Sequence, residues 1–264
     1  FLEYILFIRM LIKLSQLHKK FNLKINGISH FGAHLGQEVD SYKNLGIKNI
    51  HLFEPQKAIY ESLKDKFKDD NDIKIYNFGL GSKNENVNLN LAPGNNGLSA
   101  SVLTPEDHFE YYPNIEFMGN EEIKLCIYDD LEIEDINFLN IDIQGFEMEA
   151  LQGCRKVLKN DIEYIFIEIS RKPLYKGSAL VGDIDNYLNN YGFIRVSTRW
   201  ASSKVPWADS FYIKENNLSS NEIIKAKIIK FFENFGFFYI FIDPYRYMKK
   251  KKYRIKQKLK KILT

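Results

Sequence analysis

The spacing of apolar residues switches repeatedly along the middle of the chain, and those switches predict the elements. A short apolar run at residues 25–29 enters a Gly-x-x-x-Gly turn, Gly32 to Gly36. Helical spacing follows over 38–45, then a second apolar run at 49–53. Short apolar runs bounded by turn residues read as strands, and apolar residues three and four apart read as helix. The pattern predicts a helix over 56–67, carried by Ile59, Leu63 and Phe67 and opened by Pro55. It continues with a strand over 73–78, a turn at 79–81 and a half-exposed strand over 87–91. Residues 92–120 lose all periodicity and carry Pro93, Gly94, Gly97, Pro105, Pro113 and Gly119. A segment that long inside a domain predicts a lid or a binding insertion. Regularity returns with a strand at 138–143, a turn at Gln144-Gly145, a helix over 146–158 and a strand at 164–169. A helix over 181–191 and strands at 193–197 and 210–213 complete the pattern.

Strands alternating with helices predict an α/β fold, a doubly wound and mostly parallel sheet. In such a sheet ligands sit beyond the carboxyl ends of the strands, and His30, Glu54, Asp142, Gln144 and Glu168 fall at or near those ends. The expected organisation is an amphipathic helix within 1–24, a main domain at 25–214 and an aromatic, basic tail at 215–264.

Composition changes this picture in one respect. The chain of 264 residues is 45% hydrophobic and 14% aromatic, enough to bury a large core, which excludes disorder as the default. Its net charge of +3 is unevenly spread: residues 245–264 hold ten Lys/Arg and no Asp/Glu, so residues 1–244 carry 27 basic and 34 acidic side chains. An acidic body is a poor platform for a phosphate backbone, which makes nucleic acid the weaker partner. The tail, with Phe231, Phe232, Phe235, Phe237, Phe238, Tyr239 and Phe241 ahead of the basic run, suits peripheral contact with an anionic membrane. A solvated helix without a partner is the plain alternative. Two cysteines, Cys126 and Cys154, cannot form a disulfide framework, so a reducing, cytoplasmic location is expected. No uncharged apolar run is long enough for a membrane span, and residues 1–17 lack the cleavage site of a secretory signal.

The chemistry begins at Gly32. Strand, tight loop, helix, strand and then Glu54, 22 residues after Gly32, is the order and near the spacing at which an acid meets the ribose hydroxyls of a bound nucleoside. The G-x-G-x-x-G of dinucleotide enzymes is absent, because His34 and Gln37 stand where its second and third glycines belong. S-adenosyl-L-methionine, which has no pyrophosphate, fits the looser loop better. The long insertion offers His108, Ser99, Ser101, Tyr111 and Tyr112, the hydroxyls, imidazole and rings expected of a sugar-binding lid. Arg171 and Tyr175, just after Glu168, are further substrate-side candidates.

Residues 141–153, Ile-Asp-Ile-Gln-Gly-Phe-Glu-Met-Glu-Ala-Leu-Gln-Gly, resemble the D-x-x-G-x-E-x-x-x-L-x-G signature of FkbM-type methyltransferases through Asp142, Gly145, Glu147, Leu151 and Gly153. The resemblance extends to Gly32–Glu38, Phe53-Glu54-Pro55, Ile167-Glu168 and Trp207–Ser210. It implies a Rossmann-like class I fold and transfer of a methyl group from S-adenosyl-L-methionine to a hydroxyl of a sugar or glycan. The cofactor set it implies is His30, Gly32, Ala33, His34, Gly36, Glu38, Glu54, Pro55, Gly79, Asp142 and Gln144. His30 departs from the acid usual at the end of the first strand; it can still hold the cofactor's carboxylate, and Glu38 or backbone carbonyls are expected to meet the amine. Asp142 is the leading catalytic candidate, with Glu168 and His108 behind it, and Ser99, Ser101, Arg171 and Tyr175 are placed with the substrate. No metal is expected. An RNA ribose 2′-O-methyltransferase and a non-catalytic nucleoside-binding module at a membrane remain as alternatives.

Overall fold

The computed structural model describes residues 11–202 and 205–234. The first ten residues of the expected N-terminal helix and the tail from 235 onward lie outside the described residues. The chain divides into two units, Phe1–Asn217 and Leu218–Thr264.

In the first unit, seven strands form one sheet in the order β3-β2-β1-β7-β8-β10-β9. They are β1 (Gly27–Phe31), β2 (Asn49–Phe53), β3 (Ile73–Tyr76), β7 (Phe138–Ile141), β8 (Tyr164–Ser170), β9 (Phe193–Trp200) and β10 (Trp207–Lys214). β1 pairs in parallel with both β2 and β7, and β7 with β8. β10 is inserted antiparallel between β8 and β9. The chain runs outward from β1 in one direction through β2 and β3, then returns to β7 and runs in the other. The edge between β1 and β7 is therefore the topological switch point, where a doubly wound sheet opens a crevice.

Strand alternation explains how the sheet is covered. In β7, Leu139 and Ile141 join the large core made with Leu151 and Leu158 from the helices that follow and with Ile184 and Leu188 from α7 (Val181–Asn189). Phe138 and Asn140 lie on the opposite face. There Phe138 stacks on Phe211, which in turn meets Phe21 of α1 (Leu14–Phe21), and Asn140 bonds to Tyr42 of α2 (Val39–Lys43). Every residue of β1 is buried, as expected of a strand covered on both faces.

Between β3 and β7 the expected turn at 79–81 is a short strand, β4 (Gly79–Leu80), and a strand absent from the sequence reading, β6 (Asn120–Cys126), pairs with it. With β5 (Glu85–Asn90) they form a second sheet of three strands. β6 escaped notice because Glu121, Glu122 and Lys124 give it a polar composition, and only Ile123, Leu125 and Cys126 are buried. The helix expected over 146–158 is two, α5 (Glu147–Gln152) and α6 (Arg155–Asn160). The break has two distant causes. Asp129 accepts the backbone N–H groups of Lys156 and Val157, capping α6, and a Cβ at Gly153 would lie 2.2 Å from the Gly81 carbonyl oxygen.

The irregular stretch 92–120 is a packed insertion. It contains a 3₁₀ turn at Pro93–Asn95 and α4 (His108–Tyr111), and it is bridged at Asn90 to Ser101 and at Pro105 to Tyr175. Asn95, Ser99, Ser101 and His108 are all buried within it. In the second unit, α8 (Ser220–Asn234) exposes Ile224, Ile228 and Ile229.

Candidate active site

A cleft of about 890 Å³, open solvent at its mouth included, lies at the switch point. Its floor is the ends of β1, β2 and β7. One wall is polar, with His30, His34, Glu38, Glu54, Asp142 and Gln144; the other is apolar, with Leu89, Leu98, Val102, Ile123, Leu125 and Phe146. Sequence reading found the first wall and missed the second. That wall is assembled from β5, β6, the insertion and Phe146 at the start of the helix after β7, and no local pattern joins those segments.

The loop after β1 is shaped by close approach. Gly32 has a left-handed backbone, φ +78°, and a Cβ there would fall 2.1 Å from the carbonyl oxygen of Asp142. Its role is thus to let the ends of β1 and β7 touch, rather than only to admit a ligand. Gly36 likewise makes room for Phe67 and Leu63 of α3 (Lys57–Lys66) and its C-cap, not for the strand behind it. Ala33 is fully buried and donates its N–H to Phe53. Gly79 and Pro55 line the cleft from the β2 side.

Glu54 is 2% exposed, and its two oxygens accept the backbone N–H groups of His34 at 2.9 Å and Gln56 at 2.8 Å. Burial pushes its pKa up to about 7. His34, itself left-handed at φ +47°, donates from Nε2 to the Asn96 carbonyl at 2.8 Å and accepts from Gln37 on Nδ1. Burial lowers its pKa, consistent with a neutral ring. It ties the cofactor loop to the insertion, and Gln56 does the same through the Gly97 carbonyl at 3.3 Å.

His30 is 3% exposed, and burial alone depresses it to about 3, so it stays neutral. Asn140 donates to the Tyr42 hydroxyl at 2.6 Å, which leaves that hydroxyl to donate to His30 Nδ1 at 3.2 Å. The imidazole proton is then on Nε2. His30 therefore offers one N–H and no charge. Glu38 opens onto the same part of the cleft, with its pKa raised to about 7 by burial and by Asp142.

Asp142 follows β7 directly, retains solvent access and lines the cleft. Its Oδ1 accepts a hydrogen bond from Gln144 Nε2 at 2.8 Å, and desolvation raises its pKa. Glu147 opens α5, and its Oε1 accepts the N–H groups of Ile143 and Gly145, which makes it the clamp of the turn that carries Asp142 and Gln144.

The remaining candidates are not on the cleft wall. Glu168 is half-buried and is pushed well above the usual carboxyl range by desolvation, then by Asp142, Glu147 and Asp209. His108 is 1% exposed, ringed by Tyr112, Phe117 and Tyr175, and depressed to about 4. A ring enclosed on those sides cannot take a proton from an acceptor, which removes His108 from direct catalysis. Ser99, Ser101 and Tyr175 are also interior, where Ser101 donates to the Gln144 carbonyl and Tyr175 to the Ser99 carbonyl, so their hydroxyls satisfy buried backbone oxygens. Arg171 lies over the Trp200 ring at 3.9 Å. Among the described residues no group of three or more His, Cys, Asp or Glu side chains could hold a metal ion.

A doubly wound sheet with one reversed strand, a nucleoside-type loop and an acid at the β2 end defines the class I methyltransferase fold. Residues 30–195 match the model of the methyltransferase FkbM domain, and the chain belongs to that family. No curated protein matches this sequence. The crystal structure of methyltransferase FkbM from Methylobacillus flagellatus KT is similar at 16% identity and a TM-score of 0.52, over 78% of this chain. This chain spans about half of that protein, 47% of its length. The magnesium protoporphyrin IX methyltransferase of Synechocystis PCC 6803, solved with bound S-adenosylmethionine, shares 10% identity over 76% of this chain and 75% of its own, with a TM-score of 0.43. Aeropyrum pernix fibrillarin, with S-adenosyl-L-methionine natively bound, shares 12% over 71% and 66%, with a TM-score of 0.38. The family makes S-adenosyl-L-methionine the cofactor. The cleft suits it: a buried carboxylate for ribose hydroxyls on one wall, Glu38 for an amine, and an apolar wall for a purine ring.

Proposed function

We propose that this chain methylates a hydroxyl of a sugar or glycan. The observation that carries the reading is Asp142, a carboxylate of raised proton affinity at the end of β7 that opens onto the cofactor cleft. Methyl transfer to oxygen requires an acceptor held in line and its proton removed. Positioning can supply roughly 7–11 kcal/mol in favourable cases, and a placed base about 10²–10⁴-fold. The cofactor supplies an electrophilic methyl group. Glu54 and the loop Gly32–Glu38 would hold its nucleoside and amino-acid ends, and His30 would give a neutral N–H. Asp142 would accept the hydroxyl proton, and Glu168, off the cleft wall with its proton affinity raised by desolvation, would stay protonated and leave that task to Asp142. The test is incubation of the intact chain with methyl-labelled S-adenosyl-L-methionine and a panel of sugars, nucleotide sugars and RNA. Label on a sugar oxygen supports the reading, and label on RNA alone replaces it with the ribose-methylating one.

The second unit favours a peripheral partner. Residues 218–264 hold 13 Lys/Arg against 3 Asp/Glu, and in α8 Lys225, Lys227 and Lys230 are interleaved with the exposed Ile224, Ile228 and Ile229. Apolar side chains among basic ones suit adsorption to an anionic bilayer, each basic residue near the surface adding about 1 kcal/mol. Flotation with phosphatidylserine vesicles, lost in a chain ending at Asn217 and weakened by salt, is the expected result. Salt-sensitive binding to RNA with no flotation would overturn it.

A further inference from the structure

We propose that Gln144 and Tyr175 are positioning residues for Asp142, holding one of its carboxylate oxygens through a two-link hydrogen-bond chain so that the other is left for the acceptor. The inference rests on the proton-accepting role proposed for Asp142.

Three ties converge on Gln144. Its Nε2 donates to Asp142 Oδ1 at 2.8 Å, its Oε1 lies 3.1 Å from the Tyr175 hydroxyl, and its backbone carbonyl accepts from Ser101 Oγ at 2.7 Å. Ser101 and Tyr175 are buried, and Gln144 itself holds a left-handed backbone, φ +54°, that a non-glycine residue rarely keeps without such ties. Tyr175 is seated with little freedom: a Cβ on Gly145 would lie 2.9 Å from its ring, and the His108 ring packs 5.5 Å away. The Tyr175 hydroxyl also reaches the Ser99 carbonyl at 3.1 Å. An ionised carboxylate can only accept, so Gln144 turns its N–H to Asp142 and thereby its oxygen to the Tyr175 hydroxyl, whose one proton is shared between that oxygen and the Ser99 carbonyl. Turned the other way, the amide would set its oxygen against a carboxylate. No other hydrogen bond to the Asp142 carboxylate occurs among the described residues, which leaves Oδ2 available.

This arrangement gives the buried insertion a purpose that its exposure does not suggest. Ser99, Ser101, His108 and Tyr175 lie off the cleft wall, yet Ser101 and Tyr175 hold the residue whose amide orients Asp142, and Ser99 and His108 seat Tyr175.

The test is the titration of Asp142 itself in the intact chain. Carboxyl-labelled aspartate is incorporated, and the Asp142 carbon signal is assigned by its absence in Asp142→Asn. An amide that donates to a carboxylate favours the ionised form. The titration midpoint should therefore move up in Gln144→Ala, and move the same way by less in Tyr175→Phe, with circular dichroism confirming that both variants are folded. A purely packing role for Tyr175 would leave the midpoint where it is in Tyr175→Phe. An unchanged midpoint in both variants overturns the proposal, and one unchanged in Tyr175→Phe alone removes Tyr175 from it. Once an acceptor is in hand, the rate-against-pH profile separates the two readings. If the midpoint moves and the profile does not, the positioning stands and Asp142 is not the base.

Discussion

The ends of β2 and β7 each place a carboxyl group beside the same cleft, Glu54 buried and Asp142 open to solvent, and they hold it in opposite ways. Glu54, at the β2 end, receives two backbone N–H groups from flanking loops, so its oxygens are fixed by the main chain. Asp142, at the β7 end, receives one side-chain N–H from Gln144 and keeps solvent access. Burial raises the proton affinity of both. The difference shows how one physical effect serves two purposes. A carboxylate with both oxygens clamped by backbone donors suits a ligand bound the same way in every cycle, whereas one with a single oxygen held and the other open suits a group that must gain and lose a proton.

The comparison breaks most severely where the two ends depend on one residue. Gly32→Ala would set a Cβ against the Asp142 carbonyl in a left-handed backbone, so the β1–β7 crevice should be pried apart. A loss of about 2–4 kcal/mol in urea unfolding is expected, with S-adenosylhomocysteine binding weakened alongside. Unaltered stability would mean the crevice yields more easily than its packing implies.

Asp142→Asn separates the two carboxyl groups by function. Turnover should fall about 10²-fold or more, while calorimetry finds S-adenosylhomocysteine affinity little changed. Collapse of cofactor binding would instead assign Asp142 to the same task as Glu54. The converse substitution, Glu54→Ala, should weaken S-adenosylhomocysteine by about tenfold through loss of charge-assisted hydrogen bonds. Its effect on turnover at saturating cofactor should be small.

The mildest test uses pH. Glu54 titrates near 7 in the unliganded protein, so its ionised fraction grows as pH rises through neutrality. Ribose hydroxyls donate best to the ionised form, and S-adenosylhomocysteine should therefore bind severalfold more tightly at pH 8 than at about pH 6. Glu54→Gln should remove its share of this dependence and leave that of Glu38, which titrates in the same region. Asp142→Asn should leave the Glu54 share in place.

How much of this was legible beforehand follows the range of the interactions. The loop Gly32–Gly36, the acid at position 54 and the segment Asp142–Gly153 are contiguous motifs, and the structure brings Gly32, His34, Glu54, Asp142 and Gln144 from them to one cleft. The insertion was legible only as an absence of pattern. Ser99, Ser101, His108 and Tyr175 carry side chains that commonly bind sugars, and local sequence holds nothing to say whether a hydroxyl faces a ligand or satisfies a neighbouring carbonyl. The structure shows the second, with Tyr175 donating to Ser99 and Gln144, and Ser101 donating to Gln144.

What the sequence alone determined is the order of the strands of the main sheet and their alternation with helices, the doubly wound sheet and the acids at its carboxyl edge. Each of those follows from periodicity, turn chemistry or motif spacing within a few residues. What only the tertiary structure decided is the apolar wall drawn from β5, β6, the insertion and Phe146, the split of α5 from α6, the neutrality of His30 and the tethering of Asp142. Those depend on groups distant along the chain: Asp129 capping α6, Asn140 acting on His30 through Tyr42, and Tyr175 acting on Asp142 through Gln144. Burial and hydrogen-bond partners are properties of the folded environment, and residue type carries no record of them until the chain has closed around it.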